Sequence, residues 1–262
     1  MGYETLRVER DGASGVATVT LARGPRNAID GRMADELEAA LVALRDDETV
    51  GSIVLTGAGA AFSGGGDLKD MGVDFDDSPA VREFVAACHR AILAIASVEK
   101  PVIAAVNGDA AGAGWSLALA CDLVVASREA RFIMAFVRVG AVPDLGAAWF
   151  LPRLVGPHKA REWMLLGDVV SAEEAHRLGV VNRLVDPGEA LPSAHDLARR
   201  LADGPRRSIG LTKQMVGRYA TTTLEAALEH EAYAQALAFQ TEDFREGVKA
   251  FIEKRRPVFR GK

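Results

Sequence analysis

The chain has 262 residues, 49% of them hydrophobic and 26% charged, with a formal net charge of −5. That length and balance allow a large core with no need of disulfides or a structural metal, and they exclude a mostly disordered chain. No run of Lys and Arg could neutralise a line of phosphates, so nucleic acid is not expected as a partner.

Residues 1–10 are charged and alternating, with no apolar segment behind a basic start, which argues against a secretory signal. Strands are predicted at 5–8 and 16–21, then a helix over 33–44 with apolar residues at 33, 37, 41 and 44, then a strand at 52–56. A second amphipathic helix follows over 81–95, then strands at 102–106 and 123–126 flanking the helix-compatible run 115–120. Residues 146–154 read as a further helix and 180–185 as a strand. The alternation predicts an α/β fold. The apolar stretches at 102–106 and 110–120 are too short and too glycine-broken to span a bilayer, so no membrane association is expected.

From about Pro192 the strand signals stop. Helices are predicted near 192–203, 205–219 and 223–240, with Thr221, Thr222 and Thr223 as capping candidates, and a last one from 242 to 255 before Pro257. The division expected is a core over 1–191 and a helical region over 192–262. A helical tail with little core of its own is expected to pack on another subunit. No internal repeat stands out. Cys88 and Cys121 lie in apolar stretches and read as packing residues in a reducing, cytoplasmic setting.

Several chemistries fail on spacing. Gly112-Ala113-Gly114 lacks the third glycine of a dinucleotide fingerprint, and there is no phosphate-binding G-x-x-x-x-G-K-[ST]. The five histidines never fall at metal-ligand spacing, so no metal is expected, and no separate cofactor. Gly114-Trp115-Ser116 approximates a serine-hydrolase elbow, but the preceding strand ends at Val106, too far upstream.

Two glycine-rich loops remain, 56–68 and 107–114, each after a buried-looking strand. Both leave backbone bare to a ligand or to close packing. The second opens a helix, whose first N–H groups lack intrahelical acceptors and favour a developing negative charge.

With these loops goes a longer set of motifs: ARGPRNAID at 22–30, AFSGGGDLK at 61–69, KPVIAAVNGDAAGAG at 100–114, LPRLVG at 151–156 and DFREGVKAFIEKRRPVF at 243–259. Together they make the chain resemble the crotonase (enoyl-CoA hydratase/isomerase) family over essentially its whole length. The resemblance implies an α/β spiral of ββα units with a C-terminal trimerisation region, trimers often pairing into hexamers, and an acyl-CoA substrate. It also implies an oxyanion hole from the N–H groups of Gly66 and Ala113. Coenzyme A contacts would come from Ala28, Ala61, Ser63, Gly65, Asp67 and Leu68, with Phe251 and Lys254 reaching a neighbouring subunit's nucleotide.

Hydratases of that family use two glutamates, and at those positions this chain has Ser116 and Phe136. Asp144 stands eight residues beyond the second, in an otherwise apolar segment. Local sequence leaves it as a buried carboxyl of raised pKa or as an exposed helix N-cap. The resemblance to the branch with the phenylacetate ring-epoxide isomerase and enoyl-CoA isomerases implies that it is the base of a double-bond isomerase. Met71, Trp115, Phe136, Val139 and Trp149 are the expected walls of the acyl pocket. Another reaction of the family, hydration included, and a non-catalytic CoA-binding role are the alternatives.

Overall fold

A computed structural model describes residues 2–219 and 222–262, with the side chains of 218 and 219 left aside. The expectation placed on Thr221 lies outside the described residues.

In chain order the core begins with β1 (Leu6–Asp11), β2 (Val16–Leu21), α1 (Gly31–Asp46), β3 (Ser52–Gly57), β4 (Ala61–Ser63) and α2 (Ser78–Ser97). It continues with β5 (Val102–Val106), β6 (Asp109–Ala111), α3 (Ala113–Ala120), β7 (Leu123–Ser127) and β8 (Arg131–Ile133). After a 3-10 turn at Ala135–Val139 come α4 (Ala147–Val155), α5 (Pro157–Leu166), β9 (Val169–Ser171), α6 (Ala172–Arg177) and β10 (Arg183–Val185). Four helices close the chain: α7 (Ala190–Ala202), α8 (Arg206–Tyr219), α9 (Leu224–Phe239) and α10 (Glu242–Ile252).

The strands form two sheets. The larger runs β1-β2-β3-β5-β7-β10, antiparallel only at β1/β2, and the smaller runs β4-β6-β8-β9, antiparallel only at β8/β9. Three times in succession the chain lays a strand in the large sheet and the next, three residues long, in the small one: β3 then β4, β5 then β6, β7 then β8. This is the α/β spiral of ββα units. The first strand pair leads into a helix of 20 residues and the second into one of 8, so the turns differ in length and no fixed period marks them in the sequence.

Period-2 alternation sorts the large sheet's side chains between two cores. Val16, Val54, Ile103, Ala105 and Val125 face α7, where Ala194, Ala198 and Ala202 lie at helical spacing and let the helix approach closely. Their neighbours Ala17, Val19, Ile53, Leu55, Ala104 and Val124 face the main core with α1, α2 and α3. Central strands buried on both faces are what a parallel sheet requires. Because α7 covers the large sheet, the helix that opens the 192–262 region packs as part of the core. Thr223 and Thr241 accept N–H bonds at the starts of α9 and α10.

Residues 180–185 form a shorter strand than the apolar run suggests. The N–H groups of Val180 and Val181 both bond to Ala175 O and close the turn after α6, which leaves only Arg183–Val185 to pair with β7.

Candidate active site

The spiral brings the ends of β4 and β6 side by side, and with them the two glycine-rich loops. Segment 26–29 holds the first loop through main-chain bonds: Gly64 N–H to Arg26 O at 2.7 Å, Ile29 N–H to Gly65 O at 2.8 Å and Asp67 N–H to Ile29 O at 2.9 Å. Gly65 has φ +92°, and a Cβ there would stand 2.7 Å from Ala111 O in the second loop. Only glycine allows both that conformation and that approach. Gly66 follows it, and Ala113 is the first residue of α3. Among the described residues no acceptor takes the N–H of either.

Both residues line a cavity of about 150 Å³. Its other walls are mostly apolar, with Met71, Phe84, Val85, Phe136, Val139 and Leu145 prominent, and Leu68 at the rim. Asp144 supplies the single carboxylate among the lining residues. Its Oδ1 is buried without a hydrogen-bond partner, and burial pushes its carboxyl up to about 6. The alternative of a helix cap is settled by geometry: Gly146, in the left-handed region, is the N-cap of α4 and no side chain caps that helix. Cys88 also lines the cavity from α2, and burial, with the charge of Asp144 second, pushes its thiol up to about 11. It faces the cavity as a neutral group.

Met71, Phe136 and Val139 line the cavity; Trp115 and Trp149 do not. Trp115 is fully buried on the opposite side of α3, between Phe132 and Trp163 at ring-centroid distances of 5.4 and 5.6 Å. Alpha3 is buried all round, so its apolar pattern could not reveal which face meets the cavity. Trp149 lies on α4 with the Arg153 guanidinium 4.0 Å from its ring, partly exposed and away from the cavity.

Ser116 is fully buried and donates to Gly112 O at 3.3 Å within its own helix, so it offers no nucleophile. Ala61 is buried in β4, and Ser63 turns its hydroxyl inward to Asn27 O at 2.8 Å. Asp67 is held by the Arg23 guanidinium, which lowers its pKa and which also pairs with Asp30 at 2.8 Å. Ala28 O accepts from Arg23 as well, at 3.3 Å. Phe251 and Lys254 are exposed at the end of α10 and line no part of the cavity. Phe84 and Cys88 were within reach of sequence reasoning, since α2 has apolar residues on more than one face, but nothing local says which of them look into a cavity.

Among the described residues no cluster of His, Cys, Asp and Glu could hold a metal ion, and no helix is long and apolar enough to cross a membrane.

A two-sheet spiral that directs main-chain donors into an apolar cavity defines an acyl-CoA enzyme of the crotonase type. The chain belongs to the enoyl-CoA hydratase/isomerase family, whose model matches residues 11–262. It is 42% identical over 251 residues to the 1,2-epoxyphenylacetyl-CoA isomerase of Escherichia coli, covering 95% of this chain and 96% of that one. It is 35% identical over 260 residues to the crotonyl-CoA hydratase of Syntrophomonas wolfei, covering 99% of each. A crystal structure of enoyl-CoA hydratase subunit I from Geobacillus kaustophilus superposes with a TM-score of 0.93 at 38% identity, over the full length of both chains.

Proposed function

We propose that the chain is an isomerase that moves a double bond in an acyl-CoA thioester, with Asp144 as its base and the Gly66 and Ala113 N–H groups as its oxyanion hole. One observation carries this reading: a single partnerless carboxylate faces the cavity that both free N–H groups line. In a 3-enoyl thioester, carboxylate Asp144 takes a proton from C2. The electron pair left behind spreads onto the thioester oxygen, where the two N–H groups stabilise it, and along the chain to C4. Asp144 then returns the proton at C4, the double bond stands between C2 and C3, and the carboxylate is regenerated. One residue with a pKa near neutrality serves both transfers.

Hydration needs a group to activate water and a second to manage the other proton. At the positions where hydratases of the family have glutamates, Ser116 is sealed in the core and Phe136 presents a ring to the cavity. The 42% identity to an isomerase over nearly the whole chain supports the same reading. The remaining expectations join the proposal: a coenzyme A path along the backbone around Ala28, Ala61, Ser63, Gly65, Asp67 and Leu68, completed by Phe251 and Lys254 of a neighbouring subunit, a trimer or hexamer, and a cytoplasmic setting. No separate cofactor enters the scheme.

The test is Asp144→Asn, assayed for 3-enoyl-CoA isomerisation and for exchange of substrate protons with deuterated water. Loss of about 10²–10⁴ in kcat, as for removal of a general acid or base, is expected. Turnover at the parent rate would overturn the assignment.

A further inference from the structure

Ser63 touches the residue next to each of the two main-chain donors, Gly65 beside Gly66 and Gly114 beside Ala113, while its side chain is shut away from the cavity. It is fully buried and is not among the lining residues. Its hydroxyl donates to Asn27 O at 2.8 Å, and Ser63 Oγ itself accepts the Gly65 N–H at 3.2 Å, one residue before Gly66. Its other flank presses on the first turn of α3. A Cβ built on Gly114 would stand 2.5 Å from Ser63 O, 2.7 Å from its Cβ and 2.9 Å from its Oγ. Glycine is the side-chain-free residue that lets α3, and Ala113 at its start, come that close.

The support beneath Ser63 is itself fixed. Asn27 is fully buried with φ +50°, and its amide donates to Ala58 O and Ala61 O at 2.9 Å each and to Phe62 O at 3.3 Å. That side chain gathers the carbonyls leading into Ser63, so the hydroxyl has one place to be.

We propose that Ser63 is a positioning residue: by bridging Asn27 and Gly65 and bearing on Gly114, it sets the spacing between the Gly66 and Ala113 N–H groups. The inference rests on these groups holding a thioester oxygen. It does not depend on which bond is then moved.

The experiment is infrared difference spectroscopy of a saturated acyl-CoA carrying a ¹³C label at the thioester carbonyl, bound to the parent, Ser63→Ala and Ser63→Cys proteins. Isomerase kinetics and coenzyme A affinity are measured alongside. Two donors on the oxygen lower the carbonyl stretch on binding to the parent. In Ser63→Ala the stretch moves back toward its free value and kcat falls about 10-fold, the scale of one hydrogen bond. KM and coenzyme A affinity stay within about twofold. Ser63→Cys, which keeps a weak acceptor at longer reach, lies between, and it decides the matter if the alanine variant does not fold. Gly114→Ala, with the hydroxyl intact, forces α3 away and moves the stretch in the same direction. A folded Ser63 variant with the parent's stretch and kcat overturns the proposal, as does a Gly114→Ala protein with an unmoved stretch. If the parent itself shows no lowering, the oxyanion reading fails and this proposal with it. A parent that lowers the stretch yet isomerises no enoyl-CoA overturns the isomerase reading alone.

Discussion

Asp144 shows how much of a residue's role its neighbours in sequence can disclose. An acid in an apolar run between Val139 and Leu151 was visible as exceptional, but the same letters suit a helix cap, and the choice depends on where the chain turns. Leu145 and Gly146, both at positive φ, make that turn and leave the carboxyl inside. Burial raises its folded pKa to about 6 from an ordinary 3.8, so the folded protein holds a proton the unfolded chain has released. Stability therefore falls as pH rises from about 4 to about 6 and stays lowered above that. Asp144→Asn should be the more stable protein at pH 7, by about 1–2 kcal/mol after allowing for an amide with few partners, and the gap should close below about pH 4. Urea melts of both proteins at pH 4 and 7 measure it. Activity should run the opposite way, because the proposed base acts ionised: kcat/KM should climb with pH to a plateau with an inflection near 6. The two tryptophans illustrate the reverse case. A large aromatic near a glycine loop suits a pocket wall or a core equally well, and α3, apolar on every side, carries no signal of direction.

At the scale of elements, the long buried strands and amphipathic helices were readable from their periods, whereas β4, β6, β8 and β9 were not. Ala-Phe-Ser, Asp-Ala-Ala, Arg-Phe-Ile and Val-Val-Ser are too short to show a period, and they become strands through their neighbours in the small sheet. These short strands aim the two loops, so the fold was legible earlier than the geometry of its site. Alpha8 is fastened by a device that no pattern announces. Lys213 Nζ, nearly buried, pairs with Asp122 at 2.7 Å and donates to Ile95 O and Lys100 O at 2.9 and 3.2 Å, while Asp122 also accepts the Val102 N–H. One ammonium thus joins the end of α2 to the entries of β5 and β7. Lys213→Ala would strand a partly buried carboxylate and two carbonyls, and a loss of about 2–4 kcal/mol is expected. In a thermal melt that is a Tm lower by about 5–10 °C.

For the molecule as a whole, composition and charge placed the chain among large globular proteins, and motif order placed it in its family. The tail was harder, because helical periodicity does not say what a helix lies against. Alpha7 belongs to the sheet, but α9 and α10 leave Leu228, Tyr233, Leu237, Val248, Phe251 and Ile252 open to solvent. So much apolar surface on adjoining helices exceeds the scattered exposure normal for a monomer. The expected outcome by sedimentation is an oligomer of three or six chains. Tyr233→Lys combined with Phe251→Glu should bring the mass down to that of one chain.

The donors at Gly66 and Ala113 are main-chain groups, and that bears on how such a protein changes over time. Among the twenty residues only proline lacks an N–H. Side-chain replacement at either position can crowd or shift a donor, but hardly any can delete it. On the proposed reading, the ability to hold a negative oxygen therefore descends with the backbone, while the acid that would exploit it is a single codon. Exchanging that one carboxylate would then change the reaction while the main-chain half of the proposed site stayed as it is.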